Sequence, residues 1–159
     1  ERRVRILALD LGTKTGWATN CPQESGVQEF LLNRGESPGM RYIRFRAWLE
    51  EMIEIVKPDV IVYEQTHMRG GYATELAHGF STRVQEICAK YGIEHAAVHS
   101  ATLKKFATGS GRAKKEDMIK AAHTKLGVSK RIDDNEADAL WLLKWGIENL
   151  VTKGVKVKK

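Results

Sequence analysis

Cysteine is scarce in this sequence, and long hydrophobic runs are missing. Cys21 and Cys88 form neither a metal-ligand spacing nor a disulfide framework, so we expect free thiols in a reducing, cytoplasmic compartment. No apolar run approaches the roughly 18 residues of a membrane helix, so no membrane partner is expected. The first residues, Glu1 to Arg3, lead straight into a strand-like run and show no secretory signal.

Positive charge, by contrast, is in excess. The 159 residues carry a formal net charge of +6, and 42% of them are hydrophobic, which is ordinary for a folded domain. An excess of basic residues favours a polyanionic partner, and the position of the charges matters more than their total. Lys and Arg are concentrated at 104–115 and 153–159. We expect one domain over residues 1–150, followed by a basic tail over 151–159.

The hydrophobic pattern predicts strands first and then strands alternating with helices. Apolar, β-prone runs predict strands at 4–10, 17–19, 27–32, 60–63 and 94–98. Apolar residues at three- and four-residue spacing predict helices at 42–56, 72–91, 101–108, 114–126 and 134–150. We expect Ser100 to cap the third of these helices and Gly92 to end the second. This order predicts a mixed sheet with helices on both faces.

Two carboxylates follow buried strands of the predicted sheet. Asp10 ends the first strand and Glu64 directly follows the strand at 60–63. If these strands are neighbours, the two carboxylates lie close together at the carboxyl edge of the sheet, where ligands bind in open α/β folds. A divalent cation would remove their repulsion, and oxygen ligands favour Mg²⁺ or Mn²⁺ over Zn²⁺.

Further acids lie at the start of the last predicted helix. Asp134 and Asp138 are four residues apart and share one helix face, together with Asn135. An acidic cap for the helix dipole is sufficient to explain Asp133 and is a possible explanation of Asp134. It explains Asp138 poorly, because that residue lies in an apolar stretch where a buried aspartate needs a partner. We therefore expect Asp138 to complete the metal site.

Four motifs, taken in order, resemble those of the RuvC family of Holliday junction resolvases, particularly its phage-type members. The matching segments are Leu7–Ala18, Val60–Gln65, Leu103–Lys115 and Asn135–Leu140. The resemblance implies an α/β, ribonuclease H-like fold of the integrase superfamily, with a mixed five-stranded sheet. It also implies a homodimeric endodeoxyribonuclease of DNA recombination and repair, which cuts two strands of a four-way junction. For a phage-encoded member, the location would be the host cytoplasm.

The catalytic acids of the family carry over to Asp10, Glu64 and Asp138. The resemblance implies two Mg²⁺ ions per active site, with Mn²⁺ as a substitute, and hydrolysis that leaves 5′-phosphate and 3′-hydroxyl ends. The fourth metal ligand of the family usually lies three residues before the last aspartate, where this sequence has Asn135. Either Asn135 ligates through its oxygen or Asp134 takes over that place. We favour Asp134 and count it among the catalytic residues.

Two lysines of the family carry over to Lys104 and Lys115. We expect Lys115 to stabilise charge in the transition state, the alternative being a solvated surface lysine. Family members also carry an aromatic residue shortly after the glutamate that helps to open the junction; His67 holds the nearest position, with Met68 or Tyr72 as substitutes. The expected DNA contacts, which should weaken with salt, are Lys14, His67, Arg69, Tyr72, Lys104, Lys105, Arg112 and Lys114.

Three other functions share part of this pattern. An actin-like ATPase or sugar kinase also has an Asp-Leu-Gly-Thr turn after a strand, but it needs two related domains and 159 residues are too few. No nucleotide cofactor is therefore expected. A ribonuclease H-like nuclease that acts on RNA or branched replication DNA would keep the same acids. A non-catalytic junction-binding protein is favoured only by the departure at Asn135.

Overall fold

The structure is a computed structural model that describes residues 3–66 and 70–152, the side chain of residue 152 excepted. Two predicted DNA contacts, His67 and Arg69, lie outside the described residues, and so does Met68. Most of the predicted basic tail, residues 153–159, lies outside them as well. The limits of a domain over residues 1–150 stay a prediction.

Five strands and five helices form the described part of the chain. The strands are β1 (Ile6–Asp10), β2 (Lys14–Asn20), β3 (Gln23–Glu29), β4 (Val60–Glu64) and β5 (Glu94–Val98). The helices are α1 (Gly39–Val56), α2 (Tyr72–Tyr91), α3 (Ser100–Thr108), α4 (Lys115–Lys125) and α5 (Asp134–Gly146), and a π-helical segment, Ile147–Thr152, continues α5. None of these helices is long and apolar enough to cross a membrane.

The strands form one mixed sheet in the order β3-β2-β1-β4-β5. β1, β2 and β3 pair antiparallel, whereas β4 pairs parallel with both β1 and β5. The predicted mixed five-stranded sheet is therefore confirmed. Its central strands, β1 and β4, are buried along most of their length, as their unbroken apolar runs predict.

Helices cover both faces of the sheet. Alternate residues of β1 point to opposite faces, so that Ile6 packs among residues of α3, α4 and α5 while Leu7 packs among residues of α1 and α2. The apolar row of α2 is buried in the second of these cores: Leu76, Phe80, Val84 and Ile87. This row therefore packs against α1 and the sheet and is not available as an outer face.

Two local predictions were wrong. The third strand is Gln23–Glu29, not 27–32, because it is a polar edge strand whose register follows from its pairing with β2 and not from an apolar run. Phe30, which favoured the later strand, is buried against α1 and α2. At α3, His99 is the N-cap and Ser100 is the first helical residue. Gly92 does end α2, in the left-handed conformation.

Candidate metal centre

The centre begins with the last residues of two adjacent strands. Asp10 ends β1 and Glu64 ends β4. The two strands are parallel and in register, with Leu9 opposite Tyr63, so the next residue of each strand reaches the same edge of the sheet. Both apolar runs thus bring a carboxylate to one place, next to each other on the central strands.

A close backbone contact brings the third acid to this edge. Gly16 of β2 pairs with Asp10 of β1, and the backbone carbonyl of Asn135 lies directly over it. A Cβ on Gly16 would lie 1.9 Å from the carbonyl oxygen of Asn135, so only glycine permits this approach. The first turn of α5 is therefore seated on β2, with Asp138 following one turn later.

The three acids form a compact cluster. One ligand oxygen from each of Asp10, Glu64 and Asp138 lies within 4.8 Å of the other two, and all three residues are partly buried. Each offers a hard carboxylate oxygen, which is the donor type that Mg²⁺ and Mn²⁺ prefer. On donor chemistry and spacing, the cluster fits a divalent cation of this class.

The pKa values of Asp10 and Asp138 are raised, which indicates that the negative charges of the cluster are not balanced. Burial, with repulsion from Asp138 and Glu64, holds the pKa of Asp10 well above its usual range. Burial, with repulsion from Glu64 and Asp134, raises the pKa of Asp138 to about 7. Lys104 and Lys115 lower the pKa of Asp138, but they compensate only in part. A bound cation would supply the missing charge.

Asp134 and Asn135 lie at the rim of this cluster in different roles. Asp134 is the first residue of α5, and its Oδ2 lies 3.7 Å from Nζ of Lys115. The side-chain amide of Asn135 donates to Oδ2 of Asp133 at 3.2 Å, and its backbone packs on Gly16. The structure thus places the carboxylate of Asp134 on the cleft side and engages Asn135 in the start of the helix.

Two connected cavities open beside the acids. The first, of about 460 Å³, is lined by Asp10, Leu11, Glu64, Gln65, Thr66, Ala73, Thr74, Ala77, Ser100, Ala101, Lys104 and Gly111. The second, of about 430 Å³, is lined by Glu64, Ser100, Leu103, Lys104, Ala113, Lys114, Lys115, Glu116, Met118, Asp134 and Asp138. Glu64, Ser100 and Lys104 line both, so the two cavities form one cleft that the acids and lysines share.

The predicted DNA contacts fall into two groups. Lys104 and Lys114 line the cleft, and Arg112 and Lys114 line a neighbouring groove of about 410 Å³ on the outer side of α4. Lys105 and Lys14 are exposed but line none of these cavities. These two lysines therefore lie apart from the cleft walls.

Tyr72, like Lys14 and Lys105, lines none of these cavities. Its hydroxyl accepts a hydrogen bond of 2.5 Å from Nη1 of Arg41, whose guanidinium also lies 5.6 Å from the centroid of the Tyr72 ring. This pairing fixes the tyrosine at the start of α2, with half of its side chain still exposed.

The sequence does not predict a role in the site for several residues that line the cleft. The pattern indicates a helix cap at Ser100, and Gln65 and Gly111 are only part of the matched segments, with no role of their own. Glu136, which is almost fully buried on α5 and lines neither cavity, is equally inconspicuous in the sequence. The spacing Asp133–Glu136 is typical of a helix capping box, so nothing in the sequence distinguishes a carboxylate with a long-range contact.

The mixed sheet, its strand order and its helices on both faces are those of a ribonuclease H-like fold. No protein-family model matches the sequence, and a search of curated proteins found no match. Among solved structures, the chain is similar to Thermus thermophilus RuvC, with a TM-score of 0.74 and 19% identity over 98% of this chain and 99% of that one. The fold is thus the RuvC type of ribonuclease H-like fold.

Two further structures agree on this fold. T. thermophilus RuvC in complex with Holliday junction substrate matches with a TM-score of 0.76 and 17% identity, over 98% of this chain and 99% of that one. The yeast mitochondrial Holliday junction resolvase matches with a TM-score of 0.60 and 13% identity, over 88% of this chain and 76% of that one. Because the sequence identities are only 13–19%, these three comparisons show the fold alone.

Proposed function

We propose that this chain is a structure-selective endonuclease that resolves four-way DNA junctions. The observation that carries the proposal is the cluster of Asp10, Glu64 and Asp138 in a cleft that Lys104, Lys114 and Lys115 also line, within a RuvC-type fold. One structure with this fold holds a Holliday junction as its substrate. We assign the same substrate class to the present protein and place its reaction at the three acids.

Asp10, Glu64 and Asp138 would hold Mg²⁺, with Mn²⁺ as a substitute, and Asp134 would be the fourth ligand in a two-metal site. Bound cations of this kind would supply activation of the attacking water and stabilisation of the leaving 3′ oxygen, in a hydrolysis that leaves 5′-phosphate and 3′-hydroxyl ends. The choice of Asp134 over Asn135 is supported by their positions, since Asp134 lines the cleft together with Asp138 whereas Asn135 lines neither cavity.

Two lysines supply positive charge next to the acids of the metal site. Lys115 lies beside Asp134 at the first position of α4 and is largely exposed, so its ammonium is free to move toward a phosphate in the cleft. There it stabilises negative charge that develops in the transition state. Lys104, which lines both cavities together with Glu64, holds the backbone of the bound strand.

The bound DNA continues from the cleft over α4. Lys114 lines both the cleft and the groove outside it, where Arg112, Lys120 and Lys125 add positive charge. The groove between α1 and α2, in contrast, is lined by Glu50, Glu51 and Glu54. A polyanion is therefore attracted more strongly to the groove outside α4 than to this acidic groove, which supports a path for the duplex arm over α4.

Resolution of a junction needs two cuts, so a second active site is part of the proposal. A homodimer would supply it, and light scattering of the protein alone and with a junction tests this directly. The buried apolar row of α2 is used within the fold, so the interface must lie elsewhere.

We further propose a cytoplasmic location, in keeping with the free cysteines Cys21 and Cys88.

The test compares a synthetic four-way junction with a linear duplex of the same sequence, in Mg²⁺ or in chelator. We expect paired, symmetric nicks on the junction alone, in Mg²⁺ alone, and products that DNA ligase can seal. Asp10→Asn should abolish cutting and retain junction binding, while Glu24→Gln, a matched change of an exposed acid on β3, should leave both intact.

Three results would contradict the proposal. Equal cutting of the linear duplex would remove the structure selectivity. Binding of the junction without cutting in any divalent cation would indicate a non-catalytic junction-binding protein. Faster cleavage of linear RNA than of the junction would identify an RNA nuclease of the same fold.

A further inference from the structure

Glu136 is an acid that the proposed chemistry does not use, although it is only 7% exposed. Its Oε2 accepts a hydrogen bond of 2.6 Å from the hydroxyl of Ser25 and lies 2.7 Å from Nζ of Lys130. Nζ of Lys130 also donates to the backbone carbonyl of Ser25 at 3.2 Å. One carboxylate thus joins α5 to the edge strand β3 and to the segment that precedes α5.

The position of Glu136 on its helix makes this contact unusual. Asp133 is the N-cap of α5 and accepts a hydrogen bond of 2.8 Å from the backbone N–H of Glu136. In a capping box, a glutamate at this place reaches back to the N–H of the cap residue. Here its carboxylate turns to Ser25 instead, 111 residues away in the chain. The side chain of Glu136 therefore connects the helix to β3 and does not cap its N-terminus.

The contact lies beside the seat of α5 on the sheet. Ser25 pairs with Ala18 of β2, two residues along the strand from Gly16. The backbone of Asn135 rests on Gly16, and the carboxylate of Glu136 is tied to Ser25, so the first turn of α5 is held at two neighbouring points. Further along α5, residues such as Ala139 and Leu142 are packed in the core, so these two contacts add to that packing at the first turn.

The orientation of the first turn of α5 decides where the ligand acids lie. Asp134 and Asp138 flank Glu136 on the same helix and line the cleft, while Glu136 points away from it to β3. Asp10 and Glu64 are fixed independently by β1 and β4. The distance between the strand acids and the helix acids therefore depends on the orientation of the first turn of α5.

We infer that Glu136 is a positioning residue, which through Ser25 and Lys130 sets the placement of Asp138 and Asp134 against Asp10 and Glu64. Glu136 lines neither cavity of the cleft, so it is not placed to contact the bound metal or the DNA. The inference rests on the metal site of the proposed function, and it adds that the metal affinity of this site is controlled from the far edge of the sheet. Groups that support metal ligands from outside the site typically alter metal affinity about 10–100-fold.

The test measures Mn²⁺ binding by calorimetry in the absence of DNA, together with thermal unfolding in chelator. We expect Glu136→Ala to weaken Mn²⁺ binding about tenfold, the lower end of that range, because Glu136 acts on the ligands only through α5. Ser25→Ala, which removes one contact from the strand side, should weaken it by a smaller factor. Glu136→Gln, which still accepts from Ser25, should restore part of the loss.

The matched control is Glu148→Ala. It removes a second glutamate–lysine pair, with Lys144 at 3.7 Å, just beyond the C-terminal end of α5. This change should leave Mn²⁺ affinity unaltered even if it lowers the unfolding temperature. A merely structural role of Glu136 would move the unfolding temperature in chelator and leave the affinity of the folded protein at its wild-type value.

Each outcome decides a different statement. Wild-type Mn²⁺ affinity in folded Ser25→Ala and Glu136→Ala proteins overturns the inference. If Glu136→Ala does not fold, Ser25→Ala and Glu136→Gln decide alone, and wild-type affinity in both overturns it. Failure of the wild-type protein to bind Mn²⁺ refutes the metal site and the inference together. Mn²⁺ binding that depends on Glu136, without any junction cleavage, upholds the inference and refutes the proposed substrate.

Discussion

Replacing Asp138 by asparagine should stabilise the metal-free protein at pH 8. The pKa of Asp138 is raised to about 7 by burial and by the charges of Glu64 and Asp134, so the folded protein keeps this proton longer than the unfolded chain does. The stability that the group contributes is complete below about pH 4 and is lost as the pH rises to about 7. At pH 8 the wild-type cluster is charged and strained by repulsion, whereas the asparagine variant has one charge fewer.

The size of the effect follows from the same pKa. One pKa unit corresponds to about 1.4 kcal/mol, so a rise from 3.8 to about 7 sets an upper limit of roughly 4 kcal/mol. The asparagine still has to bury a polar amide in place of the carboxylate, which offsets part of the gain. We therefore expect a gain of about 1–3 kcal/mol at pH 8, or a rise in Tm of roughly 2–12 °C for a chain of this length.

Calorimetry in chelator at pH 8 and pH 5 measures this directly. The gain should shrink at pH 5, because Asp138 of the wild-type protein is then mostly protonated. Saturating Mg²⁺ should raise the Tm of the wild type more than that of Asp138→Asn, since the cation relieves the same repulsion. A variant that is less stable than the wild type at pH 8, or equally stabilised at both pH values, would refute the electrostatic reasoning.

Three further predictions concern neighbouring parts of the site. Lys115→Met should lower the rate of single-turnover junction cleavage roughly 10–10³-fold, the range for a lost transition-state contact, and change junction affinity far less. Lys120→Ala should weaken junction binding and reduce the slope of log K against log salt by about 1, with cleavage of the saturated complex unchanged. Gly16→Ala should cost about 1–3 kcal/mol of folding free energy, measured by urea unfolding, and weaken Mn²⁺ binding, because its Cβ collides with the carbonyl of Asn135.

The sequence was sufficient to predict a mixed sheet, its two central strands and the residues at their carboxyl ends. A buried strand has a simple signature, an unbroken apolar run, and the residue that follows the run must emerge at the strand end. Asp10 and Glu64 could therefore be placed relative to the sheet without knowledge of any contact. The edge strand β3 has no such signature, because a polar strand with one exposed edge is defined by its partner, and for this reason its limits were predicted wrongly.

The approach of α5 to the sheet depends on contacts that no local pattern encodes. Asp138 lies at the start of an ordinary helix, and its distance from Asp10 is set by residues elsewhere in the chain. Gly16 decides how closely the helix can approach, and Ser25 donates a hydrogen bond to Glu136 in its first turn. Both residues lie more than 100 positions before α5, where a small residue in a strand is indistinguishable from many others. An acidic site shared by strands and a helix thus has two kinds of determinant. Its ligands are visible in the sequence, and the residues that hold them together become visible only in the fold.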